Sequence, residues 1–422
     1  MLMKHFRLAK FRFTVCAKEH IRFPSYKGSA FRGGFGYAFK RVVCVIKGKE
    51  CDDCLLKQKC IYSYIFETPP PEDTEILRLY PKVPHPFVIE PPITEKQTFE
   101  PGETFSFHLI LIGNAIDYIP YFIYTFTELG KQGIGQGRGK YDLLHVEGMD
   151  LENEAIQIYD HKTQTLTNHY PIIHARQLNS QNPVPVNGQG VRTYATTIHD
   201  QVTAHNSPSS LDASFIEKER GGIGEEKNTS GHNQIIDPIS SPCKGEDFVV
   251  MVRQAHHARR YTLSLSKGQS NDEGGVNIVS QKDTPQGNNH TNKITISLLT
   301  PLRLRFDGHI TDKLEFHVLI RNLLRRISSL SYFHCNEKFQ VDFKGLIEKA
   351  KGVKLLKGDI HWYDWKRYST RQEEWMSLGG VTGTVTYEGD LSDFIQLLRL
   401  GEYVHVGKGT SFGLGKYEIY VE

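Results

Sequence analysis

Three short stretches of this 422-residue chain carry side chains able to do chemistry. The run "CVIKGKECDDCLLKQKC" holds Cys44, Cys51, Cys54 and Cys60 in the spacing C-x6-C-x2-C-x5-C. Four thiolates so close suit a tetrahedral zinc site, and the C-x2-C-x5-C part equally suits iron–sulfur ligation. With all positions filled by protein, such a site would fasten the fold rather than catalyse. The run "WKRYSTRQ" crowds Lys366, Arg367, Tyr368 and Arg371 together. Arginine grips phosphate through parallel N–H groups, and a phenol stacks on a base or passes a proton. A solvated basic strand explains that run equally well. The third stretch, "HVGKGTSFGLGKYEIY", sets His405 at the mouth of a loop containing Gly407, Gly409, Gly413 and Gly415, with Lys408 and Lys416 alongside. Histidine titrates near neutrality and can act as base or acid. It also serves as an ordinary cap at a strand end.

So many glycines are tolerated where φ must be positive or where another chain must come close. Neither nucleotide fingerprint fits this loop. No Gly-Lys-Ser/Thr follows at Walker spacing, and the loop runs from helix into strand rather than from strand into helix. A backbone-rich loop flanked by lysines still suits a phosphodiester chain.

The elements that must position these groups repeat. "FRLAKFRFTVCA" reads as a strand, "FGYAFKRVVCVI" as a helix after the loop "PSYKGSAFRGG", and "FSFHLILIG" as a buried strand. "NAIDYIPYFIYTFTELG" reads as a helix capped by its Asn and closed at Gly130, followed by the glycine-rich turn bearing Arg138 and Lys140 and then a strand. The order recurs as "KITISLLTPLRLRF", the amphipathic helix "DKLEFHVLIRNLLRRISSLSYF", strands in "KGDIHWYDWKRYS" and "GGVTGTVTYEG", and the helix "LSDFIQLLRLG". "LGKQGIGQGRGKYDLL" beside "LGEYVHVGKGTSFGLGKYEI" marks a duplicated βαββαβ unit. We expect an N-terminal domain at 1–177, an inserted linker at 178–291 and a C-terminal domain at 292–422. The linker is rich in Gly, Ser and Asn and cannot bury enough apolar surface to offset its chain entropy. One piece of it, "VVMVRQAHHARRYTLSLSKG", resembles a translated bacterial palindromic repeat, so His256 and His257 are not taken as a site.

Length and composition suit two or three globular domains. No apolar run reaches membrane-spanning length, and the N-terminus lacks a secretory hydrophobic block, so a cytoplasmic protein is expected. Seven cysteines, an odd number, argue against a disulfide framework, and Cys16, Cys243 and Cys335 read as ordinary thiols. The first 60 residues hold 14 Lys/Arg against 4 Asp/Glu. That excess fits an anionic partner or a solvated basic face.

Taken together, "LLRLGEYVHVGKGTSFGLGKYEIY", "DWKRYSTRQEEWMSLGGVTG", "TPLRLRF" and "FRGGFG" resemble the CRISPR precursor-RNA processing endoribonucleases of the RAMP superfamily. The likeness covers about residues 1–175 and 292–422. It implies an α+β chain of two tandem ferredoxin-like (βαββαβ, RRM-like) domains, with CRISPR repeat RNA across their faces and effector-complex subunits as further partners. It also implies cleavage without a metal: the 2′-OH attacks, leaving a 2′,3′-cyclic phosphate and a 5′-OH, helped by a base, a cation and an acid. On that likeness the catalytic group is His405, Tyr368, Lys408 and Arg371. RNA contacts fall to Arg32, Tyr37, Lys40, Arg41, Arg138, Lys140, Lys366, Arg367, Gly407, Gly409, Gly413, Gly415 and Lys416. The only cofactor expected is the structural metal of the four cysteines. Family members often carry a catalytic histidine on or after the first helix, but here "FRGGFGYAFKRVV" offers Tyr37, Lys40 and Arg41 and no histidine. The alternatives are a non-catalytic guide-RNA subunit and a metal–sulfur protein whose glycine loops only turn corners.

Overall fold

The computed structural model describes residues 3–46, 48–69, 83–178, 293–369 and 374–422. The linker expectation at 178–291 falls, apart from Leu178, outside these residues.

The N-terminal half runs β1 (Arg7–Ala17), α1 (Gly28–Val43), β2 (Phe87–Glu90), β3 (Thr104–Ile112), α2 (Ile119–Gln132) and β4 (Tyr141–Met149). Its strands pair antiparallel in the order β2-β3-β1-β4, and β5 (Ala155–Asp160) and β6 (Thr165–Leu166) extend the sheet beyond β4. The C-terminal half runs β7 (Lys293–Leu302), α3 (Phe316–Cys335), α4 (Phe343–Lys351), β8 (Lys354–Tyr363), β9 (Lys366–Ser369), β10 (Glu374–Ser377), β11 (Gly380–Glu388), α5 (Ile395–Val404) and β12 (Tyr417–Val421). Its sheet order is β8-β11-β7-β12. Both halves thus place the second, third, first and fourth strands of a βαββαβ unit side by side, all antiparallel. The expected α+β fold with two ferredoxin-like units is what the chain adopts.

Helix α1 starts earlier than its glycines suggest. "FRGG" lies inside it, because Phe31, Phe35 and Phe39 recur every four residues and pack against the rings of Phe107, Phe122 and Phe66. Burying three phenyl rings, at about 2 kcal/mol each, outweighs roughly 1 kcal/mol per helical glycine. Helix α2 differs too: residues Gly113–Tyr118 form a 3-10 turn, the α-helix begins at Ile119 with Pro120 in its first turn, and it passes Gly130 to stop before Gly133. The short strand β2, boxed between prolines, and helix α4 were not expected.

The sheet of the N-terminal half has two employments. Phe11, Phe13, Val15, Phe107 and Leu109 face α1 and α2. Leu8, Val88, Ile110 and Ile112 turn the other way and join one core with Ile296, Leu323, Leu398 and Val404 of the C-terminal half. Strand alternation sends successive side chains to opposite faces, so β1 and β3 serve both cores at once. Polar ties reinforce the shared core: Gln396 Nε2 donates to Ala175 O at 3.0 Å, and the amides of Lys4 and His5 donate to the Glu337 carboxylate at 2.8 and 2.9 Å.

Candidate functional site

The glycine loop closes against the N-terminal half. Gly413 has φ 84°, and a Cβ there would stand 2.7 Å from both Ile89 O and Pro91 Cδ. Gly28, the first residue of α1, leaves room for Phe412 O, which a methyl group would strike. Tyr26 O–H donates to that carbonyl at 2.7 Å, and its ring meets Trp365 with centroids 4.9 Å apart. What lies against the loop is therefore protein backbone.

Beneath it is a buried charge cluster. His405 Nε2 donates to Glu90 Oε1 at 2.9 Å, Lys416 Nζ forms an ion pair with Glu90 Oε2 at 3.0 Å, and His108 Nδ1 stands 3.7 Å from the same carboxylate. Glu90 and His405 are 4% and 0% exposed at their side chains, which decides that neither reaches solvent. Burial alone would raise the Glu90 carboxyl, but Lys416, the His405 hydrogen bond and Lys10 outweigh it and hold it well below its usual value. Burial pulls His405 down and the Glu90 bond opposes this; burial takes His108 down to about 4.

Several expected roles change with this geometry. His405 closes α5 at φ 60°, with Nδ1 3.2 Å from Leu414 O, so both ring nitrogens face protein. A general base must come within hydrogen-bond reach of the proton it takes, and a side chain at 0% exposure has no such reach. His405 is corrected to a structural and positioning residue. Lys416 is likewise occupied by Glu90. Arg32 spreads its guanidinium over Phe66 at 4.2 Å, Phe87 at 5.4 Å and Phe412 at 5.6 Å, which binds α1 to the loop. Lys140 pairs with Glu19 at 2.9 Å.

Other expected residues stay at the surface. Tyr37 is 67% exposed, with Arg41 beside its ring at 5.9 Å, and Lys40 lies over Tyr62 at 5.6 Å. Arg138 is exposed in its turn at φ 54°. Lys408 is exposed; its amide donates to Arg303 O at 2.9 Å, where Gly407 bridges Arg303. Burial, then Arg325 and Arg305, lower its ammonium. Arg303 in turn donates to Gly379 O at 2.8 Å, next to the β9–β10 hairpin that carries Lys366, Arg367 and Tyr368. The hairpin and the glycine loop are thus brought together through Arg303. Arg371 lies outside the described residues.

The four cysteines are half-buried and free, and Cys44 Sγ donates to Ile46 O at 3.2 Å. Burial raises the Cys51 thiol, with Lys40 opposing and Cys44 and Cys60 within range to add to it. Among the described residues no three His, Cys, Asp or Glu side chains converge as metal ligands must. Among these residues the four thiols that the spacing suggested as a tetrahedral set do not converge on one point.

Sequence reasoning missed Glu90, Arg303, Tyr26 and Trp365. Trp365 opens "WKRYSTRQ" and Arg303 lies within "TPLRLRF", but neither was given a role; Glu90 sits in no motif, lies between short apolar and proline stretches, and meets its partner 315 positions away.

A family model described as CRISPR-associated endoribonuclease Cas6 matches residues 296–417, and one described as an N-terminal domain matches residues 6–171. An uncharacterized protein of Archaeoglobus fulgidus is 26% identical over 156 residues, 36% of this chain and 50% of that protein. The chain thus spans about half the length of the curated relative it matches. Among solved structures, a Cas6 product complex aligns with TM-score 0.46 at 11% identity, over 98% of this chain and 100% of that one. A Thermus thermophilus Cas6 gives 0.42 at 11%, over 98% and 99%. A partial Cas6-RT-Cas1–Cas2 complex gives 0.44 at 12%, over 100% of this chain and 47% of that one. No helix among the described residues is long and apolar enough to cross a membrane.

Proposed function

We propose that this chain is an endoribonuclease of the CRISPR-associated Cas6 kind, which the match at residues 296–417 supports, and that it cuts CRISPR repeat RNA into guide units without a metal. The observation that carries the reading is the family match across residues 296–417, which includes the whole loop from His405 to Lys416. In the reaction a 2′-OH loses its proton and its oxygen attacks the adjacent phosphorus, while the 5′-oxygen leaves and takes up a proton. The products are a 2′,3′-cyclic phosphate and a 5′-OH. The chain must supply proton transfer and a cation for the crowded phosphorane. Lys408 is the exposed cation of the loop, and Tyr368 and Arg371 complete the group we assign to the reaction. His405 supports it from beneath by tying the loop to Glu90. Tyr37, Lys40, Arg41, Arg138 and Lys366 then carry RNA backbone, guide RNA is the partner, and the protein works in the cytoplasm.

The test is end-labelled repeat RNA incubated with the protein in EDTA, beside RNA with a single 2′-deoxy nucleotide at the cut. One cut, abolished by the deoxy substitution and by Tyr368→Phe with Lys408→Ala, is expected. A second reading, a guide-binding subunit without cleavage, is favoured by one observation: the histidine at the loop is buried and α1 carries none. RNA bound but never cut would select it.

A further inference from the structure

The outer side of the C-terminal half carries a basic groove that none of the expected site residues lines. Two adjoining hollows, of about 620 and 380 Å³, share Arg305, Arg321 and Arg325. Arg321 and Arg325 stand one turn apart on α3, Lys344 comes from α4, and Arg305 from the Leu304–Phe306 strand. Lys408 lies close enough for its charge to feel Arg325 and Arg305, so the groove leads away from the glycine loop.

The groove is built rather than incidental. Asn322, 4% exposed, accepts from the Arg305 amide at 3.2 Å and from Arg325 Nη2 at 3.3 Å, and its Nδ2 donates to Arg305 O at 3.0 Å. One buried amide thereby fixes the Arg305 backbone and the Arg325 guanidinium, and Arg305 Nε donates to Gly308 O at 3.0 Å, which cuts the ordering cost of binding. Of the two carboxylates at the rim, Glu348 is taken by Lys351 at 2.8 Å, and Asp307 sits on the exposed turn. Two phenyl rings line the same hollows: Phe306, half-buried, and Phe343, 39% exposed. Phe306 meets His317 and Phe343 meets Phe339 edge to face, and cations that track a backbone beside such partly exposed rings suit an unpaired nucleic-acid strand, since each base has a π-face to stack.

We infer that Arg305, Arg321, Arg325 and Lys344 form a subsite for the phosphates of single-stranded RNA, with Phe306 and Phe343 receiving its bases, so that unpaired RNA next to the cut is led from the glycine loop over α3. This deepens the proposed function and rests on its being an RNA enzyme.

The test uses the full chain and a labelled oligouridylate of about 20 nucleotides, titrated from about 50 to 300 mM salt, with repeat-RNA cleavage read separately. Arg321→Ala with Arg325→Ala is expected to weaken oligouridylate binding and to flatten the log K against log salt slope by about 1.4, two phosphate contacts at about 0.7 each. Phe343→Ala is expected to weaken it about tenfold with the slope unchanged. Arg321→Ala alone, at an exposed position, guards against a folding defect and should remove about half the slope change. Unchanged affinity and slope in the double variant overturn the subsite even if repeat RNA is still cut. Displacement of oligouridylate by inorganic phosphate at equal phosphate concentration also overturns it, in favour of an isolated-anion site. If the wild-type chain neither binds nor cuts repeat RNA but holds oligouridylate through these arginines, the subsite stands and the proposed function falls.

Discussion

His405 Nε2 and Glu90 Oε1 meet at 2.9 Å across 315 positions of chain, inside the protein. This hydrogen bond joins the C-terminal glycine loop to strand β2 and makes the loop's position a property of both halves. Removing one member of a buried pair leaves the other charge uncompensated, which costs on the order of 3 kcal/mol.

Glu90→Gln is therefore expected to lower unfolding stability by about 3 kcal/mol in denaturant titration, since Lys416 and Lys10 lose their counter-charge. His405→Ala should also destabilise. Among molecules that remain folded, its single-turnover cleavage should fall less than about tenfold, whereas loss of a general base costs about 100-fold or more. A loss above 100-fold at full folding would return His405 to the reaction itself.

Acid should loosen the join between the halves. His334 donates from Nε2 to Pro84 O at 2.9 Å and takes the Tyr64 hydroxyl at Nδ1, 3.2 Å away. Burial lowers its pKa to about 4, and burial lowers His85 to about 3. The unfolded chain takes up these protons near pH 6.5 and the folded chain does not, so stability is complete above 6.5 and falls as pH drops toward 4. His334 alone should remove about 2 kcal/mol between pH 7 and 5. Urea midpoints at the two pH values measure this, and His334→Gln should show a shallower acid loss.

Gly413→Ala is expected to cost about 2 kcal/mol, because φ 84° strains an L-residue and the new methyl group meets Ile89 O and Pro91. The thermal midpoint should drop, and the Trp365 environment near Tyr26 should change in fluorescence. An unaltered midpoint would mean that the loop does not press on β2.

Much of this architecture could be read in the chain. The amphipathic pattern from Phe316 to Cys335, the alternation in "VTGTVTYEG" and the twin glycine turns announce their elements because local periodicity carries the information. Strand β2 has only four residues, buried on both faces and bracketed by prolines, so it has no alternation to display. The glycine loop was legible as a place of close approach, but its neighbour was not. Whether a glycine makes room for phosphate or for Ile89 depends on contacts far apart in sequence. His405 was misjudged for the same reason: its burial comes from β2, not from its own segment. Asn322 carries no signal in its own helix, because the groups on its amide, Arg305 and Arg325, come partly from a distant strand.

The core shared by both halves has a consequence for the chain as a covalent object. Leu8, Val88, Ile110 and Ile112 are covered by residues that follow position 293, so neither half alone can keep its apolar face from water. Two separately synthesised pieces, residues 1–178 and 293–422, should each be poorly soluble, yet when co-expressed they should find one another and co-purify as a one-to-one pair. In this molecule, continuity of the polypeptide matters less to the union of its halves than the fit between them.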